Sequence, residues 1–162
     1  MLSISYIIAT FFGSGRLPYA PGTWGSLAAL GVAFVFYFYH LQALSYLIIS
    51  GILFVIGWLV TEHILKTSSD ADTDPSFIVI DEVVGLFVTI GLLGLYEPVT
   101  SNLLFSSFVL FRLFDIFKPL PIGWLEECLS KSPRTAALGV MVDDVLAGVM
   151  AAGTLILLSL YS

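Results

Sequence analysis

Charge is scarce in this chain: 6 Lys and Arg and 12 Asp and Glu among 162 residues, 11% in all. A soluble domain carries roughly 25%, so this composition excludes one. With so few bases and a formal net charge of -6, no nucleic-acid partner is expected. Cysteine is nearly missing, and Cys128 on its own excludes an internal disulfide. The two histidines, His40 and His63, stand far apart and read as interfacial or solvated side chains, not as metal ligands. No basic segment opens Met1–Phe12 and no small-residue cleavage site follows, so a secretory signal peptide is not expected. Internal repeats and low-complexity tracts are also lacking. What fills the chain is apolar: 58% hydrophobic residues and a mean hydropathy of +1.00. The expectation is an all-α, polytopic membrane helical bundle, one domain over residues 1–162.

Taken in order, Met1–Phe12 has Ile4, Ile7, Ile8 and Phe11 at helical spacing but is too short to span, so it reads as an interfacial or re-entrant helix. Gly13–Ser26, GSGRLPYAPGTWGS, is a loop in which Thr23 or Ser26 can cap the next helix. It lacks the Lys of a P-loop and has Pro18 where a dinucleotide fingerprint needs its third Gly. A Gly-rich loop feeding a helix start still offers backbone N–H groups to a phosphate, and Arg16 adds a cation. Trp24–Tyr39 and Leu41–Ile64 read as a membrane hairpin. Asp70, Asp72 and Asp74 fall in a polar loop without the spacing of a calcium site. Phe77–Tyr96, Val99–Phe117 and Leu138–Tyr161 bring the total to about five spans. Between the last two, Pro121–Lys131 reads as an amphipathic helix on the membrane surface, Pro121 near its first position.

Against that apolar background a few charges stand out. Asp143 and Asp144 interrupt GVMVDDVLAG, and a carboxylate at the bilayer centre costs roughly 2.5–3.5 kcal/mol on insertion scales. Asp81 and Glu82 lie about one turn into the third span, because a helix begun after them would be too short. Arg112 and Asp115, three residues apart, share a helix face. Five spans place Arg16, Lys66, Arg112, Lys118, Lys131 and Arg134 on one side, which the positive-inside rule makes cytoplasmic. The five carboxylates fall on that side too. They would repel one another unless protonated or bound to a cation. Oxygen-only ligation suits Mg²⁺, with Mn²⁺ as the alternative. Together with Arg16, Arg112 and Lys118 for phosphate oxygens, this describes phosphoryl chemistry on a lipid headgroup. The competing reading is a small ion or proton-coupled transporter that uses the intramembrane carboxylates.

Four stretches carry a family resemblance: GSGRLPYAPGTWGSL (Gly13–Leu27), DPSFIVIDEVVG (Asp74–Gly85), FRLFDIFKPLPI (Phe111–Ile122) and GVMVDDVLAG (Gly139–Gly148). Their order and spacing resemble the phosphatidylglycerophosphatase A family over most of the chain. Ala136-Ala137-Leu138-Gly139 departs from it where a richer glycine run is usual. The resemblance implies a Mg²⁺-dependent lipid phosphatase that releases phosphate from phosphatidylglycerol phosphate at the cytoplasmic face of a bacterial inner membrane. It implies a metal and catalytic set drawn from Asp81, Glu82, Asp115, Asp143 and Asp144. For phosphate it implies Gly22, Thr23, Gly25, Ser26, Arg112 and Lys118, to which the loop chemistry adds Arg16. In each acidic pair one residue is expected to face the site, Glu82 and Asp144 being favoured, since neighbours on a helix point about 100° apart. Metal-activated water and an aspartyl-phosphate intermediate both remain open, as does the oligomeric state.

Overall fold

The computed structural model describes residues 4–67, 75–120, 122–129 and 132–161, and among them every regular element is helical. The helices are α1 (Ile4–Ala9), α2 (Pro21–Phe38), α3 (Ala43–Thr67), α4 (Ile80–Tyr96), α5 (Ser101–Phe117), α6 (Ile122–Leu129) and α7 (Pro133–Leu160). A short 3₁₀ turn, Ser14–Arg16, lies between the first two. Asp70, Asp72 and Asp74, Pro121 and Lys131 lie outside the described residues, as do the side chains of Leu125, Glu126 and Arg134.

Local chemistry sets the ends. Pro21 opens α2 behind Ala20, whose φ is 51°, and no side chain caps it. Thr23 and Ser26 therefore fall inside the helix, contrary to the expected capping role, and the Ser26 hydroxyl donates to Gly22 O at 2.9 Å. Thr100 caps α5 by accepting from the Leu103 amide, and a reciprocal Ser132–Thr135 box caps α7. That box, with Pro133 at the first position, starts α7 five residues before the expected Leu138. At the far end of α5, Lys118 takes a left-handed turn (φ 39°) and Pro119 prevents continuation.

The bundle is organised around α4, which packs against α2, α3, α5 and α7 and is buried along most of its length. Its start differs from expectation. Helix begins at Ile80, not Phe77: Val79, at φ −139° and ψ 9°, is off the helical conformation, and its amide donates to Ala9 O at 2.9 Å. Gly15 and Gly25 close over this segment, and a Cβ on either would strike Val79. Deeper in, α4 and α7 cross at Gly85 and Gly148 with their backbones in contact. The Thr89 hydroxyl is placed against both Gly85 O (2.9 Å) and Gly148 O (3.2 Å) at that crossing. Asp81 and Asp144 each lie four residues, one turn, before their glycine, so the crossing fixes the two acids side by side.

Among the described residues three helices, α2, α3 and α7, are long and apolar enough to cross a membrane. On α3, Leu44, Ile48, Ile52, Val55 and Leu59 are exposed, an apolar face suited to lipid and not to water. The other two expected spans correspond to α4 and α5, at 17 residues each, or about 25 Å.

Candidate active site

A cleft of about 220 Å³ opens at the end of the bundle where α4 begins. From α4 it receives Asp81 and Glu82, and from α5 and the residue after it Arg112, Asp115 and Lys118. Asp143 and Asp144 come from α7, and Pro21 and Gly22 from the first turn of α2. All five carboxylates singled out by sequence thus line one space. Both members of each pair do so, which differs from the expectation of one apiece. The cleft wraps round the first turn of α4, so Asp81 and Glu82 both reach it. On α7, Asp143 is drawn towards Lys118, with Nζ–Oδ2 at 3.4 Å, while Asp144 lies against α4.

The electrostatics are lopsided, with five acids facing two cations among the described residues. Arg112 pairs with Asp115 one turn away, approaches Glu82 Oε1 at 3.8 Å, and donates to Thr23 Oγ1 at 3.3 Å. Carboxylate oxygens of Asp81, Glu82 and Asp144 all lie within 4.8 Å of one another. Glu82 Oε2 and Asp144 Oδ2 are buried without a hydrogen-bond partner. Buried, unsatisfied carboxylate oxygens are costly unless a cation meets them. The oxygen-only donor set fits a hard divalent ion. Arg112 Nε is likewise buried without an acceptor, as a site for an oxyanion would leave it.

The remaining predicted phosphate ligands part company. Gly22 lines the cleft, and a Cβ there would run into Glu82 Oε1. Thr23 faces Arg112. Gly25 packs on Val79 and Ser26 is wholly buried, so neither lines the cleft. Arg16 is exposed and borders a separate cleft of about 240 Å³ with Tyr6, Thr10 and Phe12. Sequence reasoning passed over Ser76, Ile78 and Val140, which complete the lining. The first two stand in the DPSFIVIDE stretch only a few residues before the acids, and that proximity was the available signal. A larger cavity of about 460 Å³ lies around Tyr37, His40 and Gly94, towards the other end of α4, and its lining holds no acid.

The model of the family described as Phosphatidylglycerophosphatase A matches residues 7–159. The chain belongs to that family. It is therefore a phosphatase, and its three long apolar helices make it a membrane protein. Among curated relatives, the Phosphatidylglycerophosphatase A of Haemophilus influenzae is 36% identical over 154 residues, 93% of this chain and 86% of that protein. The protein of the same name from Escherichia coli is 34% identical over 151 residues, 93% of this chain and 80% of its own length. A Bacteroides thetaiotaomicron protein named "Putative phosphatidylinositol-3-phosphatase" is 36% identical over 148 residues, 88% of this chain and 86% of its own. No solved structure gives a significant match.

Proposed function

We propose that the chain hydrolyses the terminal phosphomonoester of phosphatidylglycerol phosphate, giving phosphatidylglycerol and inorganic phosphate, with Mg²⁺ bound among Asp81, Glu82 and Asp144. The observation that carries this reading is the pairing of orphaned groups in one cleft: acceptors on Glu82 and Asp144 and a donor on Arg112. The first two call for a cation and the third for an oxyanion. A bound divalent ion would supply Lewis-acid polarisation of the phosphoryl group.

The chain's own residues then divide the work. Arg112, held in place by Asp115 and Thr23, directs its guanidinium edge at phosphate oxygens. Lys118, held over the cleft by its left-handed backbone and by Asp143, adds a second positive charge. The water that attacks phosphorus must lose a proton, and the carboxylates not engaged by the metal are the acceptors at hand. Direct attack by one of those carboxylates, followed by hydrolysis of an acyl phosphate, is the alternative route.

The membrane arrangement we favour keeps α2, α3, α4, α5 and α7 as five spans, with α1 and α6 at the interface. The cleft then faces the cytoplasm of a bacterial inner membrane. Arg16, Lys66, Arg112 and Lys118 support this, since all lie towards the cleft end of the bundle. A transporter reading has less support. One turn inward of Asp81 and Asp144 the α4–α7 crossing is closed backbone to backbone.

The test is phosphate release from purified protein in mixed micelles, with phosphatidylglycerol phosphate and phosphatidylinositol 3-phosphate offered separately, with Mg²⁺ or with chelator. Release from the first lipid that chelator stops supports the reading. Asp144→Asn should remove it without changing membrane insertion. Near-normal turnover in that variant, or ion flux through vesicles without phosphate release, would refute it.

A further inference from the structure

Arg16 belongs to a cleft of its own, about 240 Å³ in volume and lined by Tyr6, Ile7, Thr10, Phe12, Gly13 and Arg16. It shares no residue with the carboxylate cleft, but it stands beside the segment that leads into α4. A Cβ on Gly15 would strike Phe77 O, and the Tyr6 ring stacks on that of Phe77 with centroids 5.4 Å apart. Phe11, Phe12 and Gly13 all take left-handed backbone (φ 40°, 59° and 97°), and Phe12 is left 83% exposed at the rim. Most polar groups around the cleft are already committed. The amides of Gly13 and Gly15 donate to Thr10 O, that of Ser14 to Phe11 O, and that of Arg16 to Gly13 O. The Thr10 hydroxyl donates to Tyr6 O at 2.6 Å. Among the described residues, the Arg16 guanidinium and the Tyr6 hydroxyl meet no partner, and no acid lines the cleft.

We propose that this cleft binds the headgroup phosphate of an anionic bilayer phospholipid, a lipid other than the one hydrolysed. The occupant follows from the groups left unpaired. One cation and one hydroxyl donor suit a single charged phosphate. With no acid in the lining, an ammonium headgroup finds nothing to pair with, so a phosphodiester of net negative charge is preferred to a zwitterionic one. Tyr6, Ile7 and Phe12 are all exposed and offer apolar surface to the glycerol esters and upper acyl carbons. A free phosphate would leave that surface in water. The proposal rests on the interfacial position given to α1 above and not on the chemistry of the carboxylate cleft.

The test is photolabelling of the purified protein in phosphatidylcholine nanodiscs. A minor fraction of the lipid, either phosphatidylmethanol or phosphatidylcholine, carries a photoreactive group at the top of one acyl chain. Phosphatidylmethanol is anionic but has no phosphomonoester, so it is no substrate for the carboxylate cleft. Residues 4–16 should be labelled about fivefold more by the anionic lipid than by the zwitterionic one. Arg16→Gln should bring the two lipids level by removing the charge, and Ile7→Trp should do so by filling the cleft with the charge kept. Lys66→Gln, a cation already paired with Glu62, should leave the preference intact. Dimethyl phosphate in solution should not compete. Equal labelling by both lipids in the wild-type protein, or a preference that survives Arg16→Gln, overturns the proposal. A preference that survives Ile7→Trp is surface attraction and overturns the cleft as its seat, and competition by dimethyl phosphate overturns the lipid as occupant. Labelling of residues 4–16 by neither lipid would overturn the interfacial placement of α1 itself, and the proposal with it.

Discussion

Gly22→Ala isolates the geometry of the site from the stability of the fold. In the first turn of α2, a Cβ at residue 22 would coincide with Glu82 Oε1, with Glu82 Cδ and Arg112 Nη1 each at 3.2 Å. All three atoms are at the far ends of side chains, so the backbone need not move and the carboxylate can swing away. The folding cost is therefore small, and Ala's better helix propensity, up to about 1 kcal/mol in a helix interior, offsets part of it. The functional cost is not small. Glu82 contributes one of three carboxylates gathered within 4.8 Å, and it also balances Arg112 at 3.8 Å. Disturbing groups that orient metal ligands typically costs 10–100-fold in metal affinity or activity, equivalent to about 1.4–2.7 kcal/mol. Gly22→Ala should therefore melt within a few degrees of wild type while the Mg²⁺ concentration for half-maximal phosphate release rises at least tenfold. Gly31→Ala, where the new methyl meets open space, should change neither. If Gly22→Ala titrates with Mg²⁺ as wild type does, Glu82 is not where the metal reading requires it.

Other substitutions probe separate links. Gly148→Ala drives a methyl into the Gly85 carbonyl, where neither partner can rotate away, so it should destabilise by about 1–3 kcal/mol in reversible unfolding. Thr89→Val removes the hydroxyl placed between Gly85 O and Gly148 O, and a loss of about 1 kcal/mol with metal affinity unchanged is expected. Lys118→Gln should raise KM for the lipid phosphate about tenfold and tighten Mg²⁺, because it removes a cation facing Asp143. A KM that stays put would take Lys118 out of substrate binding. Arg112→Lys keeps the charge but cannot reach Asp115, Thr23 and a phosphate together, so activity should fall at least tenfold; full activity would show that the planar fork is unnecessary.

Apolar runs made the long helices legible, and the isolated charges made the cleft's membership legible, because both follow from what a bilayer excludes. What escaped was set by contacts between distant segments. The bond from Arg112 to Thr23 joins residues 89 apart, and nothing in either neighbourhood announces it. Phe77–Val79 carries a helical pattern, yet Val79 is tied by its amide to Ala9 O in a non-helical conformation and the helix starts at Ile80. Gly25 and Ser26 sit in a loop that invites a phosphate-binding reading. Once α2 begins at Pro21, they rotate onto Val79 and into the bundle. Arg16 shares the Gly-rich loop and the side of the membrane expected for the site, and neither fixes its position: it borders a separate cleft.

The acids stand in the first turn of α4, not a turn inside it. Helix length argued that Asp81 and Glu82 lie inside the third span, since a helix begun after them is too short. In the structure α4 begins almost at the acids and is only 17 residues long. Its neighbours set the depth instead. Gly57, Ile80 and Met141 come together at one level. From there α3 continues ten residues to Thr67, and α7 begins eight residues earlier, at Pro133. At 1.5 Å per residue these overhangs are about 15 and 12 Å. The first turn of α4 is therefore recessed below the ends of the two helices beside it. On the proposed function, a recess of that size would bring a membrane-embedded lipid's phosphate level with fixed charges without lifting its acyl chains into water. With α3 and α7 in the membrane, a short central helix between two long ones would hold charge near the bilayer while leaving an aqueous approach to it.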